Sequence, residues 1–199
     1  MHYITDILYW ISTGLLVPVI VLLILLFLRS LLLLGSFFSQ YVSHLRTSAN
    51  VRSAVEATNV SNLADLANSL RGKVDNRTSQ LLENLTANRA NASMIDKLMS
   101  DYEISIEADL ATPKMLSKMG PMLGLMGTLI PMGPALVGLS SGDIASMAYN
   151  MQVAFATTVI GLFSAAVGYV ILQVKQRWGL SMLNNMEFIA SVAKQPNNQ

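Results

Sequence analysis

Residues 119–139 and 144–174 contain no Asp, Glu, Lys, Arg or His, and only Ser140, Ser141, Gly142 and Asp143 separate them. A hydrocarbon core roughly 30 Å thick is crossed by about 20 helical residues. In lipid every backbone N–H and C=O must find its partner within the protein, which for two such stretches dictates helices. The pair therefore reads as a membrane hairpin. Its composition is not that of a simple anchor: Gly120, Gly124, Gly127 and Thr128 interrupt the first stretch, and Thr157, Thr158, Gly161, Ser164 and Gly168 the second. Small residues let helix backbones approach closely in lipid, so the hairpin is built to pack against other helices.

The rest of the chain agrees with a membrane protein. Of its 199 residues 52% are hydrophobic and only 13% charged, too apolar for an ordinary soluble domain. Ile7 to Leu28 is a further uncharged run of spanning length, closed by Arg29, whose long stem can carry its charge to the interface. It is long for a signal peptide, has Asp6 in place of a basic cluster before it, and lacks a small-residue cleavage pattern. Pro18, in mid-span, either kinks the helix or is simply tolerated in lipid. Tyr9 and Trp10 suit an interface. The expected fold is thus an all-α integral membrane protein with three transmembrane helices.

The basic residues orient these spans. All 13 lie between Arg29 and Lys118 or between Lys175 and Lys194, none before the first span or in the short loop at Asp143. The positive-inside rule puts those two regions in the cytoplasm. The expected layout is an external N-terminus (1–6), a first span (7–34), a cytoplasmic helical region (35–113), a second span (115–139), an external loop (140–143), a third span (144–174) that outruns the bilayer and projects into the cytoplasm, and a cytoplasmic tail (175–199).

Between the first two spans, apolar residues recur at helical spacing: Leu63, Leu66, Leu70, then Leu81, Leu82, Leu85, then Met94, Ile95, Leu98. Asn59 or Ser61 is a candidate N-cap, as is Asp75, with a break near Gly72. The last helix is expected from about Asn76 to about Ala111, with Pro113 marking a joint. Glu103, Glu107 and Asp109 cluster before the second span. They form either a cation-attracting vestibule or docking patch (Glu103 and Glu107 foremost) or an ordinary solvated face, and Lys114 and Lys118 are in range to pair with them. The tail after Lys194 is expected to be disordered.

Chemistry is conspicuous by what is missing. There is no cysteine, His2 and His44 are far apart, and no phosphate loop or hydrolase motif occurs. No metal, cofactor, nucleic-acid partner or enzymatic activity is expected. Ala154, Thr158, Gly161, Ala165 and Gly168 share one helical face, with Thr157, Gly161 and Ser164 on an overlapping one. Thr128 and Thr158 fall near mid-membrane on consecutive antiparallel helices. Their hydroxyls either face a polar lumen or bond back to their own helices. A proton path through lipid usually needs a titratable group, so this chain either does not conduct or shares the path with another chain.

The stretch GPMLGLMGTLIPMG from Gly120, followed by AFATTVIGLFSAAVGYV from Ala154, resembles the core of the MotA/TolQ/ExbB family. Pro121, Gly124, Leu125, Gly127 and Thr128 match its first motif, and Thr158, Gly161 and Leu162 its second. Three spans with this layout are similar to the TolQ/ExbB branch. The resemblance implies a ring subunit of an ion-driven motor in the cytoplasmic (inner) membrane. It implies a homopentamer around a dimer of a single-span, ExbD- or TolR-like partner whose membrane helix carries an aspartate, and H+ or Na+ crossing between ring and partner. Thr128, Thr158 and Thr157 are then the expected lining of the ion pathway, and Gly120, Pro121, Gly124, Gly127, Gly161 and Gly168 the packing residues of the pore core. This chain departs from ExbB and TolQ at Val153, where they carry a glutamate, and Pro131 and Pro134 are unusual in the second span. The alternative is a non-conducting oligomeric scaffold that organises partners through its cytoplasmic helices.

Overall fold

A computed structural model describes residues 2–57, 74–88 and 91–194, with the side chains of residues 2, 5, 6 and 42–57 excepted. The expected caps at Asn59 or Ser61, the Leu63–Leu66–Leu70 stripe, the break near Gly72, the two histidine side chains and the tail beyond Lys194 lie outside the described residues. Five helices are described: α1 (His2–Gly14), α2 (Leu16–Ala57), α3 (Asn76–Ala87), α4 (Ala92–Ser141) and α5 (Ile144–Lys194). Three segments are long and apolar enough to cross a membrane: Ile7–Tyr41, Ala92–Ser141 and Ile144–Lys194. The protein is an all-α, multi-pass membrane protein. The chain divides into two compact units, Met1–Gly35 with Thr112–Leu172, and Ser36–Ala111 with Gln173–Gln199.

In the first unit, Pro18 decides where α1 gives way to α2. A proline ring collides with the carbonyl four residues back and offers it no N–H. That carbonyl belongs to Gly14, the last residue of α1, and α2 resumes at Leu16. Leu15 N–H bridges the gap by donating to the carbonyls of both Ile11 and Ser12, at 3.1 Å each. Val19, Leu23 and Leu26 of α2 then pack with Leu116, Leu123 and Ile130 of α4, which recur every seven residues, and with Ile160 of α5. Much of the remaining apolar surface is open: Leu125, Leu136, Phe155 and Val159 are each more than 60% exposed, as lipid-facing or subunit-facing residues must be.

The turn between α4 and α5 is four residues of tight geometry. Gly142 has φ +78°, a left-handed conformation open to glycine at little cost. Asp143 N–H donates to Gly138 O at 2.8 Å, and its carboxylate caps α5 by accepting from Ser146 N–H at 3.0 Å.

The second unit is built on Leu81, Leu82 and Leu85 of α3, Ile95 and Tyr102 of α4, and Met186, Ile189, Ala190 and Ala193 of α5. Asp75 caps α3 as expected, accepting from Thr78 N–H at 3.2 Å. The helix expected over 76–111 is two helices. Asn88 ends α3, its N–H donating to Asn84 O, and Asn91 starts α4 by accepting from Met94 N–H at 3.2 Å. Nor is Pro113 a joint: α4 runs through Pro113, Pro121, Pro131 and Pro134. Pro113 is fully buried within the first unit, and packing there overrides its local tendency to end a helix. Among the described residues, ion pairs of Arg77 with Asp109 (2.7 Å) and of Lys194 with Asp96 tie helices of the second unit together.

Candidate functional site

In the first unit, α4 and α5 meet along a seam of glycine. A Cβ built on Gly120 would lie 2.6 Å from Gly161 O, and one on Gly161 would lie 2.7 Å from Gly120 O and 2.8 Å from Gly124 Cα. Toward the turn, a Cβ on Gly127 would fall 2.6 Å from the Thr157 side chain. Away from it, a Cβ on Gly168 would fall 2.6 Å from Leu116 Cβ and 3.0 Å from Pro113 O. No side chain fits between these backbones, which is the close approach that small residues permit. Of the expected packing residues, Gly120, Gly124, Gly127, Gly161 and Gly168 meet in this seam. Pro121 does not, being exposed on α4.

The three threonines part company here. Thr157 is turned into the seam: only 5% exposed, it sits over Gly127, and its hydroxyl donates to Ala154 O at 2.9 Å. Thr128 and Thr158 are half-buried at the seam's edge. An α-helix turns about 100° per residue, so Thr128 lies about 160° around α4 from Ile130, and Thr158 about 160° around α5 from Ile160. Ile130 belongs to the apolar cluster formed with α2, and Ile160 packs against that cluster; Phe163, about one turn further along α5, lies 5.7 Å from Phe27 of α2. Both threonines therefore occupy the face of the hairpin turned away from α2.

Their hydroxyls are spoken for as donors. Thr128 Oγ1 donates to Leu125 O at 2.7 Å and Thr158 Oγ1 to Ala154 O at 3.1 Å. Each oxygen keeps lone pairs with which to accept a hydrogen bond from outside the chain. The face can thus receive a proton-bearing group, and neither 119–139 nor 144–174 contains an Asp, Glu, His, Lys or Arg of its own.

Ser164, on the face that the sequence groups with Thr157 and Gly161, is fully buried, its hydroxyl satisfied by Ile160 O one turn back at 2.8 Å. One contact escaped sequence reasoning. Arg29 donates to Thr112 Oγ1 at 3.4 Å, so its charge reaches a side chain of α4. No local pattern announces it. In the second unit Glu103 and Glu107, four residues apart on α4, are both exposed, whereas Asp109 is engaged by Arg77 and not by Lys114 or Lys118.

A three-span protein with a glycine-sealed hairpin and a threonine-bearing free face can be set against known families. The model of the MotA/TolQ/ExbB proton channel family matches residues 65–187. The chain belongs to this family. The match extends well beyond the motif residues, taking in α3, the whole hairpin and most of the helical extension of α5. No curated protein matches the chain. Membership in the MotA/TolQ/ExbB family makes the hairpin part of a proton-channel-type membrane protein, not of a known class of enzyme.

Proposed function

We propose that this chain is a ring subunit of an ion-driven motor of the inner membrane, with its N-terminus outside and its C-terminus in the cytoplasm. Five copies surround a dimer of a single-span, ExbD- or TolR-like partner. An aspartate on the partner's membrane helix passes protons (or sodium ions) along the face bearing Thr128 and Thr158. The flow turns one component against the other and does mechanical work in the cell envelope.

The observation that carries this reading is the placement of both threonines on the side of the hairpin away from α2. If α2 lies on the outer, lipid-facing side of a ring, that face turns inward. There two acceptor oxygens meet whatever the ring encloses, and a protonated carboxyl on a partner helix is the group they suit. The missing carboxylate of this chain becomes one half of a divided site. Thr157 contributes to that face only through the seam behind it. Glu103 and Glu107 are proposed to raise the local cation concentration at the cytoplasmic mouth.

A second reading, a non-conducting scaffold, draws on the back-bonding of both hydroxyls to their own helices. One experiment separates the two. The chain is purified with whatever accompanies it and tested in liposomes for ion flux, as wild type and as Thr128→Ala/Thr158→Ala. The motor reading expects a co-purifying single-span protein with a membrane aspartate, an intact complex in both cases, and flux lost in the double variant. A double variant with full flux overturns the threonine pathway. A wild-type complex with no flux and no such partner supports the scaffold.

A further inference from the structure

On the second unit, a cleft of about 610 Å³ opens beside Trp178 of α5, with Tyr41 of α2 and Gln173, Gln176, Arg177 and Leu180 in its walls. Each of its polar side chains can donate: the guanidinium, two amide NH2 groups and a phenol O–H, the amides and the phenol being able to accept as well. Among the described residues no carboxylate lines it. Nor is there an acid nearby on the same helix: α5 has none from Ile144 to Met186, the first being Glu187. Asp109 pairs with Arg77, and Asp96 with Lys194. Arg177 takes neither, and it is exposed.

The rings are held in place. Trp178 stacks on Phe37 at 5.7 Å with 10° between the planes, and Tyr41 lies 5.7 Å from Trp178 at 37°. Aromatic side chains with polar tips gather where a membrane protein meets the headgroups. The helix length puts this cluster there. Arg177 is 33 residues beyond Ile144, the start of α5 at the turn. That is about 50 Å of helix, against about 40–45 Å for a bilayer with its headgroup layers. A tilt of about 20° and the reach of an arginine stem close the difference.

We infer that this cleft binds the phosphate headgroup of an anionic phospholipid in the leaflet opposite the α4–α5 turn. Arg177 supplies the charge and a planar fork matched to phosphate oxygens. Gln173, Gln176 and the Tyr41 hydroxyl supply further donors. Trp178 and Leu180 give the glycerol region an apolar wall. The bound lipid would hold α2 and α5 together as they leave the bilayer, independently of any ion pathway.

The test uses the full chain reconstituted in nanodiscs of equimolar phosphatidylglycerol and phosphatidylcholine. The lipid that stays with the protein after extraction is quantified by mass spectrometry. Wild type should hold phosphatidylglycerol enriched about fivefold over the bulk ratio, the preference one basic residue confers at an anionic leaflet. Arg177→Glu and, separately, Gln173→Glu should bring the ratio to that of the bulk, while Arg177→Lys keeps part of the enrichment. Gln173→Glu leaves the arginine in place and decides the matter if Arg177→Glu fails to assemble. Equal ratios in wild type and variants overturn the proposal. Millimolar inorganic phosphate or glycerol 3-phosphate is added in lipid-free detergent as the second arm. A thermal shift there, abolished by Arg177→Glu, would assign the cleft to a soluble anion and overturn its assignment to lipid.

Discussion

Gly120 and Gly161 meet backbone to backbone, each so close that a Cβ on one would lie 2.6 or 2.7 Å from the carbonyl oxygen of the other. No rotamer change can relieve such a clash, because the obstructing atom is main chain. Gly161→Ala should therefore separate α4 from α5 at a cost of about 1–3 kcal/mol, the range for overpacking a well-filled site. Gly133 is the control, since nothing lies within 4 Å of a Cβ built there. Gly133→Ala should be neutral or slightly stabilising, alanine being the better helix former. Thermal melts of the purified protein in detergent check both. Equal melting temperatures for the two variants would mean that the seam does not hold the hairpin together.

The three neighbouring threonines should respond differently. Thr128→Ala and Thr158→Ala each remove an acceptor from the free face and should lower ion flux in the assembled complex while leaving the melting temperature within a few degrees of wild type. Thr157→Ala removes a buried methyl and hydroxyl over Gly127 and should do the reverse: flux retained, stability reduced by about 1 kcal/mol. Thr157→Val keeps the volume and should recover most of that loss. Flux measured in liposomes alongside a melt separates the patterns. Loss of flux in Thr157→Val with unchanged stability would return Thr157 to the pathway.

Much of this was legible in the sequence because the bilayer narrows the options. Uncharged length predicts the spans, and the glycines at 120, 124, 127, 161 and 168 announce close packing at the spacing the seam uses. The pattern did not resolve which of two adjacent threonines enters the seam. Thr157 and Thr158 are 100° apart on one helix, and only the contact with Gly127 decides between them. The Pro113 joint and the single helix over 76–111 failed for opposite reasons. At Pro113 tertiary burial defeated a local helix breaker. At Asn88 and Asn91 two side chains that cap helices interrupted a stretch whose apolar periodicity ran on unbroken.

The second unit depends on its apolar core and little on its ion pairs. Leu85 is fully buried between α3 and its neighbours, and Leu85→Ala should destabilise the unit by about 2–5 kcal/mol. The side chains of Arg77 and Asp109 are each 52% exposed. Solvent screens such a pair, so Asp109→Asn should cost under about 1 kcal/mol, and less as salt is raised. Limited proteolysis at increasing temperature would rank the two. A larger loss in Asp109→Asn than in Leu85→Ala would make the ion pair the principal tie.

Tyr102 ties the same unit to pH. Its hydroxyl is buried against Thr78 Oγ1 at 3.0 Å. Burial pushes the phenol above its ordinary value near 10, and the hydrogen bond from Thr78 offsets part of that rise. A group whose pKa is raised by folding binds its proton more tightly in the native state. Its contribution is therefore complete below the unfolded pKa and lost as pH climbs through the folded one. Wild-type stability should be insensitive to this group from pH 6 to 9 and fall above pH 10. Tyr102→Phe cannot titrate, so it should start below wild type by about 1 kcal/mol, the worth of the hydrogen bond, and close that gap as the buffer becomes more alkaline. Melting curves of both proteins across pH 8 to 11 provide the test. A gap that stays constant over that range would mean that Tyr102 keeps its ordinary pKa in the folded unit.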